Sequence, residues 1–512
     1  MIQNNTISNN KRIAKNTIYL YFRQILVMVV SLYTSRVVLA TLGEIDYGIY
    51  NVVGGIVTLF TFLNFAMGCA TNRFITFELG KKDYEKLNIV FSYSVIIHTI
   101  IAIIILILGE TIGLWFFNTQ MNIPAERMYA ASWVYQFSIF TCMINIMCVP
   151  YNALITSHEK MNIYAMFSVL ETVLKLVIVW ILVIGGYDKL ILYAILLFSV
   201  GLLMRILNQV YTIHAFKNVH FVRIKNRETL NKMVGYAGWS LLGSAGVIFS
   251  NQGQNILLNI FFGPSVNAAR GISMQVKNAI ESFANNFYNA VAPQINKSYA
   301  KGDVEYMRTL ILSSSRYMFH LLFVLAFPIV LNINYILNLW LKKVPQHTSI
   351  FVVLMLIIAL LTCLGRPLSS ANGATGNIRK FQLLEGTTNL FLIPITWIVL
   401  TIYPNSELAF ITQIILCIIL QIVRLYVVNP QIGLTYISYW TEFILPCIKV
   451  FALSIPLPCI LKFILPECFF TVISLVILSI TIIIFSIYLV GITNQERNFI
   501  KSKIISTIRK HQ

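Results

Sequence analysis

The sequence predicts an all-α polytopic membrane protein with about 14 transmembrane helices. In this prediction, two six-helix lobes are related by a parallel internal repeat and are followed by two extra C-terminal helices. Three observations support it: long apolar runs recur along the chain, charged residues cluster in short loops, and two of those loops resemble each other. Only 11% of the residues are charged, whereas a soluble globular chain averages about 25%.

The predicted helices are the apolar runs that lie between charged or Pro/Gly-marked breaks. They lie near residues 15–40, 47–77, 87–117, 126–156, 161–186, 189–216, 233–262, 265–299, 304–341, 347–374, 378–403, 406–429, 435–464 and 467–491. The longest are expected to extend past the bilayer, tilt or bend. Twelve spans are the alternative if the last hydrophobic pair is misread.

Lysine and arginine concentrate in one set of alternate loops and in the two termini. This set contains Lys11, Arg12, Lys15, Lys81, Lys82, Lys86, Lys160, Lys217, Arg223, Lys225, Arg227, Lys232, Lys301, Arg308, Arg379, Lys380, Arg497, Lys501, Lys503, Arg509 and Lys510. The other set contains Arg127, Lys189, Lys342 and Lys343. The positive-inside rule therefore predicts that both termini are cytoplasmic. The same rule accounts for the net charge of +19, so the basicity does not indicate a nucleic-acid partner.

The eight cysteines lie in or beside apolar segments, without a CxxC pair or a Cys/His cluster. Such cysteines behave as small buried hydrophobic residues. The sequence therefore predicts no metal site, no cofactor and no disulfide framework.

Two charged loops indicate an internal repeat. The stretch "GKKDYEKL" (80–87) resembles "AKGDVEYM" (300–307), and an offset of 220 residues aligns the flanking spans without a gap. The identical pairs are Gly43 with Gly263, Ala70 with Ala290, Ile75 with Ile295, Lys81 with Lys301, Asp83 with Asp303 and Glu85 with Glu305. Because each copy holds six helices, both copies should have the same orientation and enclose a central cavity that opens by alternating access. The alternative is that shared hydropathy alone produces two similar hairpins.

The repeat and the loop charges divide the chain into six predicted regions. These are an N-terminal cytoplasmic tail (1–16), an N-terminal lobe (17–216), a basic cytoplasmic linker (217–232), a C-terminal lobe (233–430), two extra helices (431–492) and a basic cytoplasmic tail (493–512).

Two sequence segments resemble a known family. "TSRVVLATLGEIDYGIYNVVGG" (34–55) and "ATNRFITFELGKKDYEKLN" (70–88), together with the plan of six, six and two helices, are similar to polysaccharide-type flippases. These belong to the multidrug/oligosaccharidyl-lipid/polysaccharide exporter superfamily. The resemblance implies a bacterial inner-membrane transporter for isoprenyl-pyrophosphate-linked oligosaccharides of O-antigen, capsule or related surface glycans. Its implied partners are that lipid-linked substrate, membrane lipids and glycan polymerases, with no nucleic acid.

Two arginines in the first predicted helix are candidate substrate-binding residues. Arg23 lies about eight residues into the span, roughly 12 Å deep at about 1.5 Å per residue. A cation at that depth needs a reason to be there, since insertion scales give it a cost of about 2.5–3.5 kcal/mol. Arg36 lies closer to the outer end, where snorkelling of the side chain to the interface is the competing explanation.

The eighth predicted helix carries a polar stripe. Asn267, Arg270, Lys277 and Glu281 fall on one face because spacings of seven and eleven residues return almost to the same angle. Lipid tails cannot satisfy this row, so we favour a cavity lining with Arg270, Lys277 and Glu281 as substrate-binding candidates. The resemblance adds that flippases are expected to hold cations facing a pyrophosphate. The alternative is a Lys277–Glu281 pair that only joins neighbouring helices.

The seventh predicted helix contains "SNQGQN" (250–255) in mid-membrane. The amides of Gln252 and Asn255 could bond sugar hydroxyls, or they could join helices. The sequence does not decide between the two roles.

Two other functions compete with a flippase. A cation-coupled multidrug exporter of the same superfamily usually carries a buried carboxylate for the coupling ion, but all four aspartates fall in predicted loops. A membrane-embedded glycan polymerase or glycosyltransferase should have a large outer loop with catalytic groups, and here the outer loops are short. The sequence therefore favours a transporter that is not an enzyme.

Overall fold

The computed structural model describes residues 24–498, except 159, 185, 223–226 and 495. Within these residues all regular structure is helical, in agreement with the predicted fold class. The predicted N-terminal tail, Arg23 and most of the C-terminal tail lie outside the described residues. The main helices are α1 (Gln24–Leu42), α2 (Glu44–Leu59), α3 (Phe62–Lys81), α4 (Tyr84–Gln120), α5 (Ala125–Ser157), α6 (Met161–Ile184), α7 (Lys189–Ala215), α8 (Arg227–Phe262), α9 (Pro264–Ala300), α10 (Val304–Leu331), α11 (Ile333–Trp340), α12 (Thr348–Thr375), α13 (Arg379–Ile402), α14 (Ser406–Ile432), α15 (Tyr436–Ile464) and α16 (Phe469–Gly491).

A helix lies at each of the fourteen predicted positions, as far as the described residues extend. Among the described residues, eleven helices are long and apolar enough to cross a membrane, and α2 together with α3 would make a twelfth span. Two long helices, α8 and α9, are not among these candidates because many amide and hydroxyl side chains lower their hydropathy. The polytopic helical fold is therefore confirmed, whereas the number of fourteen membrane crossings stays a prediction.

The second predicted helix, near 47–77, is not one continuous helix. It consists of α2 and α3, which are bent by 57° at a short break. Two threonines explain the break: the Thr58 hydroxyl donates to the carbonyl oxygens of Gly54 and Gly55, and the Thr61 hydroxyl donates to that of Thr58. Hydroxyls that bond to the preceding turn weaken the regular helical pattern and bend helices.

The local backbone supports the repeat at three paired positions, each separated by 220 residues. Gly43 and Gly263 both have positive φ, at 81° and 79°, in the turns before α2 and α9. Lys82 and Gly302 also have positive φ. The next residues, Asp83 and Asp303, cap α4 and α10 by accepting hydrogen bonds from the backbone N–H three residues later. The two copies therefore begin and end these helices in the same way.

The chain folds into two compact units. Unit 1 contains Met1–Ile272 and Gly386–Ala409, and unit 2 contains Ser273–Glu385 and Phe410–Gln512. This division groups α8 with the N-terminal helices and splits α9 between residues 272 and 273. The six predicted regions and their boundaries are a different division, based on repeat and charge, and they stay a prediction.

Each unit has an apolar interior of its own. In unit 1, residues of α2, α5 and α7 such as Ile49, Val134 and Leu190 are fully buried together. In unit 2, residues of α10, α12 and α15 such as Ile311, Val352 and Phe443 form the corresponding cluster. The exposed large apolar side chains on the same helices fit a surface that faces lipid, where burial in protein is not required.

Candidate functional site

Helices α2, α8 and the start of α9 approach closely in unit 1 because glycines lie where they meet. A Cβ added to Gly48 would lie 1.8 Å from the carbonyl oxygen of Pro264, which begins α9. A Cβ on Gly55 would lie 2.7 Å from the amide nitrogen of Asn255 on α8. Small residues at helix contacts are typical of membrane proteins, in which close backbone packing replaces the hydrophobic driving force.

An amide network joins these three helices. The Asn267 side chain donates to the backbone oxygen of Asn255 at 2.7 Å and to its side-chain oxygen at 2.9 Å. The Asn255 side chain in turn donates to the backbone oxygen of Asn51 at 3.2 Å. Both Asn255 and Asn267 are buried. In this conformation, the Asn255 amide is therefore engaged in joining helices, and its role toward a sugar stays a prediction.

Gln252 lies beside this network with its side chain half-buried. Its amide oxygen is 2.9 Å from the position that a Cβ on Gly55 would take, which places it against α2. The substrate-binding role predicted for Gln252 also stays a prediction.

Arg270 is the buried cation of unit 1 that has no carboxylate partner among the described residues. Its side chain is 5% exposed. One guanidinium nitrogen, Nη2, donates to the backbone oxygen of Asn251 at 2.8 Å, and Nε has no acceptor. A buried charge without a counter-ion is costly in any low-dielectric environment. The role of Arg270 in substrate binding stays a prediction.

Lys277 and Glu281, which the sequence places on the same stripe, belong to unit 2 and form an ion pair. Their charged atoms are 3.0 Å apart, and the side chains are 12% and 14% exposed. The Thr362 hydroxyl donates to the Glu281 carboxylate at 3.2 Å. The pair is therefore neutral as a whole and links α9 to α12. Both residues stay candidates for substrate binding, but Lys277 does not offer an unpaired charge.

Two arginines of unit 2, the buried Arg316 and the partly buried Arg424, are also neutralised. Arg424 on α14 pairs with Glu385 on α13, with an Nε–Oε1 distance of 2.9 Å. Arg316 on α10 pairs with Glu496, which follows α16, at 2.6 Å. These pairs are structural by their geometry, since each carboxylate directly meets the cation that would otherwise be uncompensated.

Arg36, on α1, is half-buried. No hydrogen bond or ion pair of its side chain occurs within the described part of the chain. It stays a candidate for substrate binding, and snorkelling stays the alternative. The predicted role of Arg23 cannot be compared with geometry, because this residue lies outside the described residues.

An ion-pair cluster lies where α2, α5 and α7 begin. Arg127 donates to Asp46 at 2.8 Å through Nε and to Asp188 at 2.7 Å through Nη1. Asp188 also caps α7 by accepting from the N–H groups of Leu190 and Ile191. Burial alone would raise the pKa of Asp188, but its hydrogen bonds and the charge of Arg127 outweigh burial and lower the pKa. This cluster fixes three helix ends and leaves no free charge on Arg127.

Unit 1 also contains a cavity of about 250 Å³ that the sequence analysis did not identify. Its lining comes from α2, the break after α2, α3, α5 and α7, and the lining side chains carry no charge. The polar members are Thr58, Thr61, Asn64, Ser138, Thr141 and Asn145. Tyr50 and Phe137 supply aromatic rings, and Gly54 opens space on α2.

The sequence shows a helical spacing of residues that line this cavity. Ser138, Thr141 and Asn145 follow the spacing i, i+3, i+7, which places them on one face of the otherwise apolar α5. Gly54, Thr58 and Thr61 have the equivalent spacing around the end of α2. The binding residues predicted from the sequence are charged residues and amides, so the hydroxyl side chains and the glycine of this lining are not among them.

The described residues contain no cluster of three or more His, Cys, Asp or Glu side chains that could hold a metal ion. Three carboxylates of the spans have a basic partner, since Glu171 pairs with Lys175, Glu281 with Lys277 and Glu385 with Arg424. Among the described residues, no ion pair occurs at Glu78, Glu110 or Glu442, and one Glu78 carboxylate oxygen is buried without a partner. The arrangement thus offers an unpaired buried cation and a neutral polar cavity in unit 1, and neutral ion pairs in unit 2.

Comparison with solved structures gives transporters with similar folds. The lipid II flippase MurJ in an inward closed conformation has a TM-score of 0.66 and 10% identity, and covers 92% of this chain and 98% of its own. An inward-facing MATE family multidrug resistance transporter of the MOP superfamily has a TM-score of 0.59 and 16% identity, with coverage of 82% and 94%. A MOP superfamily transporter from Pyrococcus furiosus, described as having a binding pocket of reversed polarity, has a TM-score of 0.60 and 16% identity, with coverage of 82% and 96%. At these identities the likeness establishes the fold alone.

No curated protein matches the sequence significantly. The family model described as "Polysaccharide biosynthesis protein" matches residues 13–299, which is more than half of the chain. This match includes α1 to α8 and most of α9, and therefore the residues of the amide network, Arg270, Lys277 and the unit 1 cavity. Because the matched residues make up more than half of the chain, the chain belongs to the polysaccharide biosynthesis protein family.

Proposed function

We propose that this protein is a flippase that carries an isoprenyl-pyrophosphate-linked oligosaccharide across the bacterial inner membrane by alternating access. The oligosaccharide would be a unit of O-antigen, capsule or a similar surface glycan. Both termini would lie in the cytoplasm, the protein would not be an enzyme, and glycan polymerases would act with it. The family match and the flippase and transporter fold support this proposal.

The observation that carries the proposal is the unpaired, buried Arg270. A pyrophosphate is a compact anion with several acceptor oxygens, and a guanidinium offers a fork of fixed donors that matches it. The anionic head cannot enter hydrocarbon without a counter-charge, whereas the isoprenyl tail can remain in lipid. A free Nε donor on Arg270 is available for this interaction. Since the side chain is only 5% exposed, a conformational change must uncover it, as alternating access would.

The paired carboxylates favour this function over a cation-coupled multidrug exporter. Within the described residues, Glu171, Glu281 and Glu385 each meet a lysine or arginine at salt-bridge distance. At these three positions a coupling cation would have to displace that partner, whereas Glu78, Glu110 and Glu442 have no such ion pair among the described residues. We therefore assign the anionic head group, rather than a cationic drug, to Arg270.

The test is translocation by the purified protein in proteoliposomes. The probe is a fluorescent isoprenyl pyrophosphate that carries a disaccharide, and dithionite added outside reports the fraction on the outer leaflet. We expect Arg270→Gln to slow translocation by about tenfold to a hundredfold, because a charge-assisted hydrogen bond contributes about 1.5–3 kcal/mol. Arg270→Lys should retain an intermediate rate, since it keeps the charge and loses the fork.

Arg205→Gln is the matched control. Arg205 is an arginine of unit 1 that already stacks on Tyr151 at 4.3 Å and bonds Gln209 at 2.8 Å. Its loss should leave the rate near that of the wild type. Equal rates for wild type and Arg270→Gln would contradict the role of Arg270. Transport of ethidium without transport of the lipid would instead support the drug exporter.

A further inference from the structure

We propose that the unit 1 cavity is a binding subsite for one neutral sugar ring of the glycan head, separate from the cation at Arg270. This inference rests on the proposed function, because it assumes that a glycan-bearing lipid is the substrate. It adds which part of the substrate is recognised and by which residues.

The first argument is the chemistry of the lining. The six polar side chains of the cavity are hydroxyls and amides, with no carboxylate, lysine or arginine among them. Such a lining can exchange hydrogen bonds with hydroxyl groups but offers nothing to neutralise a charged ligand. The rings of Tyr50 and Phe137 provide flat apolar faces beside these groups. A sugar ring has the matching combination of apolar C–H faces and a rim of hydroxyls.

The second argument is that the lining has unused hydrogen-bonding capacity. The Asn64 side-chain oxygen is buried and has no partner. Ser138 and Asn145 make no side-chain hydrogen bond to any part of the chain that the structure describes. Polar groups inside a membrane protein must be satisfied by protein, water or a ligand. These three side chains, contributed by α3 and α5, therefore face either water or the hydroxyls of a ligand.

The threonines of the lining define the polarity of the site. The Thr58 and Thr61 hydroxyl protons are donated to backbone carbonyls of α2, and that of Thr141 is donated to the Phe137 carbonyl at 2.7 Å. Their oxygen lone pairs remain available as acceptors. A ligand that donates several hydrogen bonds suits this arrangement, and a sugar with free hydroxyls does so.

The size of the cavity limits the ligand. Pockets for drug-sized molecules span roughly 300–1,000 Å³, and this cavity is about 250 Å³. It can therefore hold a single sugar ring rather than a whole oligosaccharide. The open space next to Gly54 is part of this volume, because a Cβ added there would meet no atom within 4 Å.

The test compares binding of three kinds of ligand to the full-length protein in lipid nanodiscs by native mass spectrometry. The ligands are isoprenyl pyrophosphate, the same lipid carrying either N-acetylglucosamine or galactose, and the free sugars. We expect at least one sugar-bearing lipid to bind wild type about tenfold more tightly than the bare lipid, as two or three added hydrogen bonds would give. Binding of the free sugar at a similar level would identify a soluble sugar, rather than a lipid head group, as the source of the ligand and would overturn the proposal.

Gly54→Leu should remove the tenfold gain by filling the cavity while leaving the bare lipid bound as in wild type. Gly80→Leu is the matched control, since a Cβ at Gly80 also meets no atom within 4 Å but this residue lies outside the cavity. Asn145→Leu provides a second variant that removes polarity with little change of size. All proteins are first checked for a single peak in size-exclusion chromatography, and binding is measured only with variants that show one.

The outcomes separate this inference from the proposed function. If the bare lipid binds, but neither sugar increases its affinity, the sugar subsite is refuted and the flippase proposal stands. If Gly54→Leu and Asn145→Leu weaken binding of the bare lipid and of the sugar-bearing lipid equally, the cavity does not recognise the sugar. If no lipid binds to wild type, the proposed function fails first.

Discussion

Replacing Arg270 with methionine distinguishes a charge kept for function from one kept for stability. Methionine has a similar length and no charge. In the wild type, Arg270 is 5% exposed, and its guanidinium makes one hydrogen bond of 2.8 Å to the Asn251 carbonyl. An uncompensated buried ion costs about several kcal/mol, while a bond from a charged donor contributes about 1.5–3 kcal/mol. We therefore expect Arg270→Met to be as stable as wild type, or about 1–2 kcal/mol more stable, while translocation slows by about tenfold to a hundredfold, as expected for Arg270→Gln.

The reverse result is expected for a paired arginine. The side chains of Arg424 and Glu385 are each only 14% exposed. Glu385→Gln therefore leaves the arginine largely buried without its carboxylate. Removing one partner of a buried pair costs about 3–5 kcal/mol. The double change Glu385→Gln with Arg424→Met should recover most of this loss, because it removes the uncompensated cation as well.

The assay is the apparent melting temperature of each purified variant in one detergent, followed by size-exclusion chromatography, with translocation measured on the same preparations. The reasoning requires opposite signs: a stable but slowly translocating Arg270→Met and a destabilised Glu385→Gln. If Arg270→Met melts as far below wild type as Glu385→Gln does, Arg270 has a structural counter-charge and is not an available anion site.

Three further predictions follow from individual contacts. Gly48→Ala should lower the melting temperature by an amount equivalent to about 1–3 kcal/mol, since its Cβ would lie 1.8 Å from the Pro264 carbonyl oxygen; melting equal to wild type would contradict this close approach. The pKa of Asp188 is lowered from 3.8 in the folded protein. Its carboxylate therefore stabilises the fold above pH 3.8, and this stabilisation is lost as the pH falls through the folded pKa. In melting scans from pH 6 to pH 3, Arg127→Gln should therefore lose less stability on acidification than the wild type. In a background without other cysteines, a membrane-impermeant maleimide should label Cys468 from the outside of intact cells. Cys468 is exposed before α16, and its hydrogen bond with Thr471 lowers the pKa of its thiol. Labelling only after lysis would contradict cytoplasmic termini.

Much of the fold could be predicted from the sequence because a bilayer imposes strong constraints on it. Apolar runs located the helices, since each spanning segment must satisfy its own backbone. A bend was one of the outcomes expected for the longest spans, but the position of the bend between α2 and α3 was not predicted, because Thr58 and Thr61 interrupt the helix through local side-chain bonds. Hydropathy averages over such residues and gives one span near 47–77. Helices α8 and α9 are the opposite case: both are continuous and were located in the sequence, but their many amide and hydroxyl side chains make them less apolar than the other spans.

The candidate site could be predicted only in part. Helical periodicity identified Arg270, Lys277 and Glu281 as one stripe, but periodicity does not say which charges find partners. The structure brings Lys277 to Glu281 and Thr362, and leaves Arg270 with a backbone carbonyl. Burial of Asn255 against α2 and α9 depends on Gly55 and Asn267, which are distant in sequence from one another. Contacts of this kind are set by packing and are not encoded in a local pattern.

The repeat gives a reason why recognition should differ between the two copies. At the offset of 220 residues, Thr61 corresponds to Glu281, and Val57 corresponds to Lys277. In the first copy, the helix breaks here and the threonine lines an uncharged cavity. In the second copy, α9 continues and the same register holds an ion pair. A substrate with an anionic group and a neutral sugar presents two kinds of surface, and two identical copies could not match both. A difference between the two copies at these paired positions is therefore what we expect if the first copy binds hydroxyl groups.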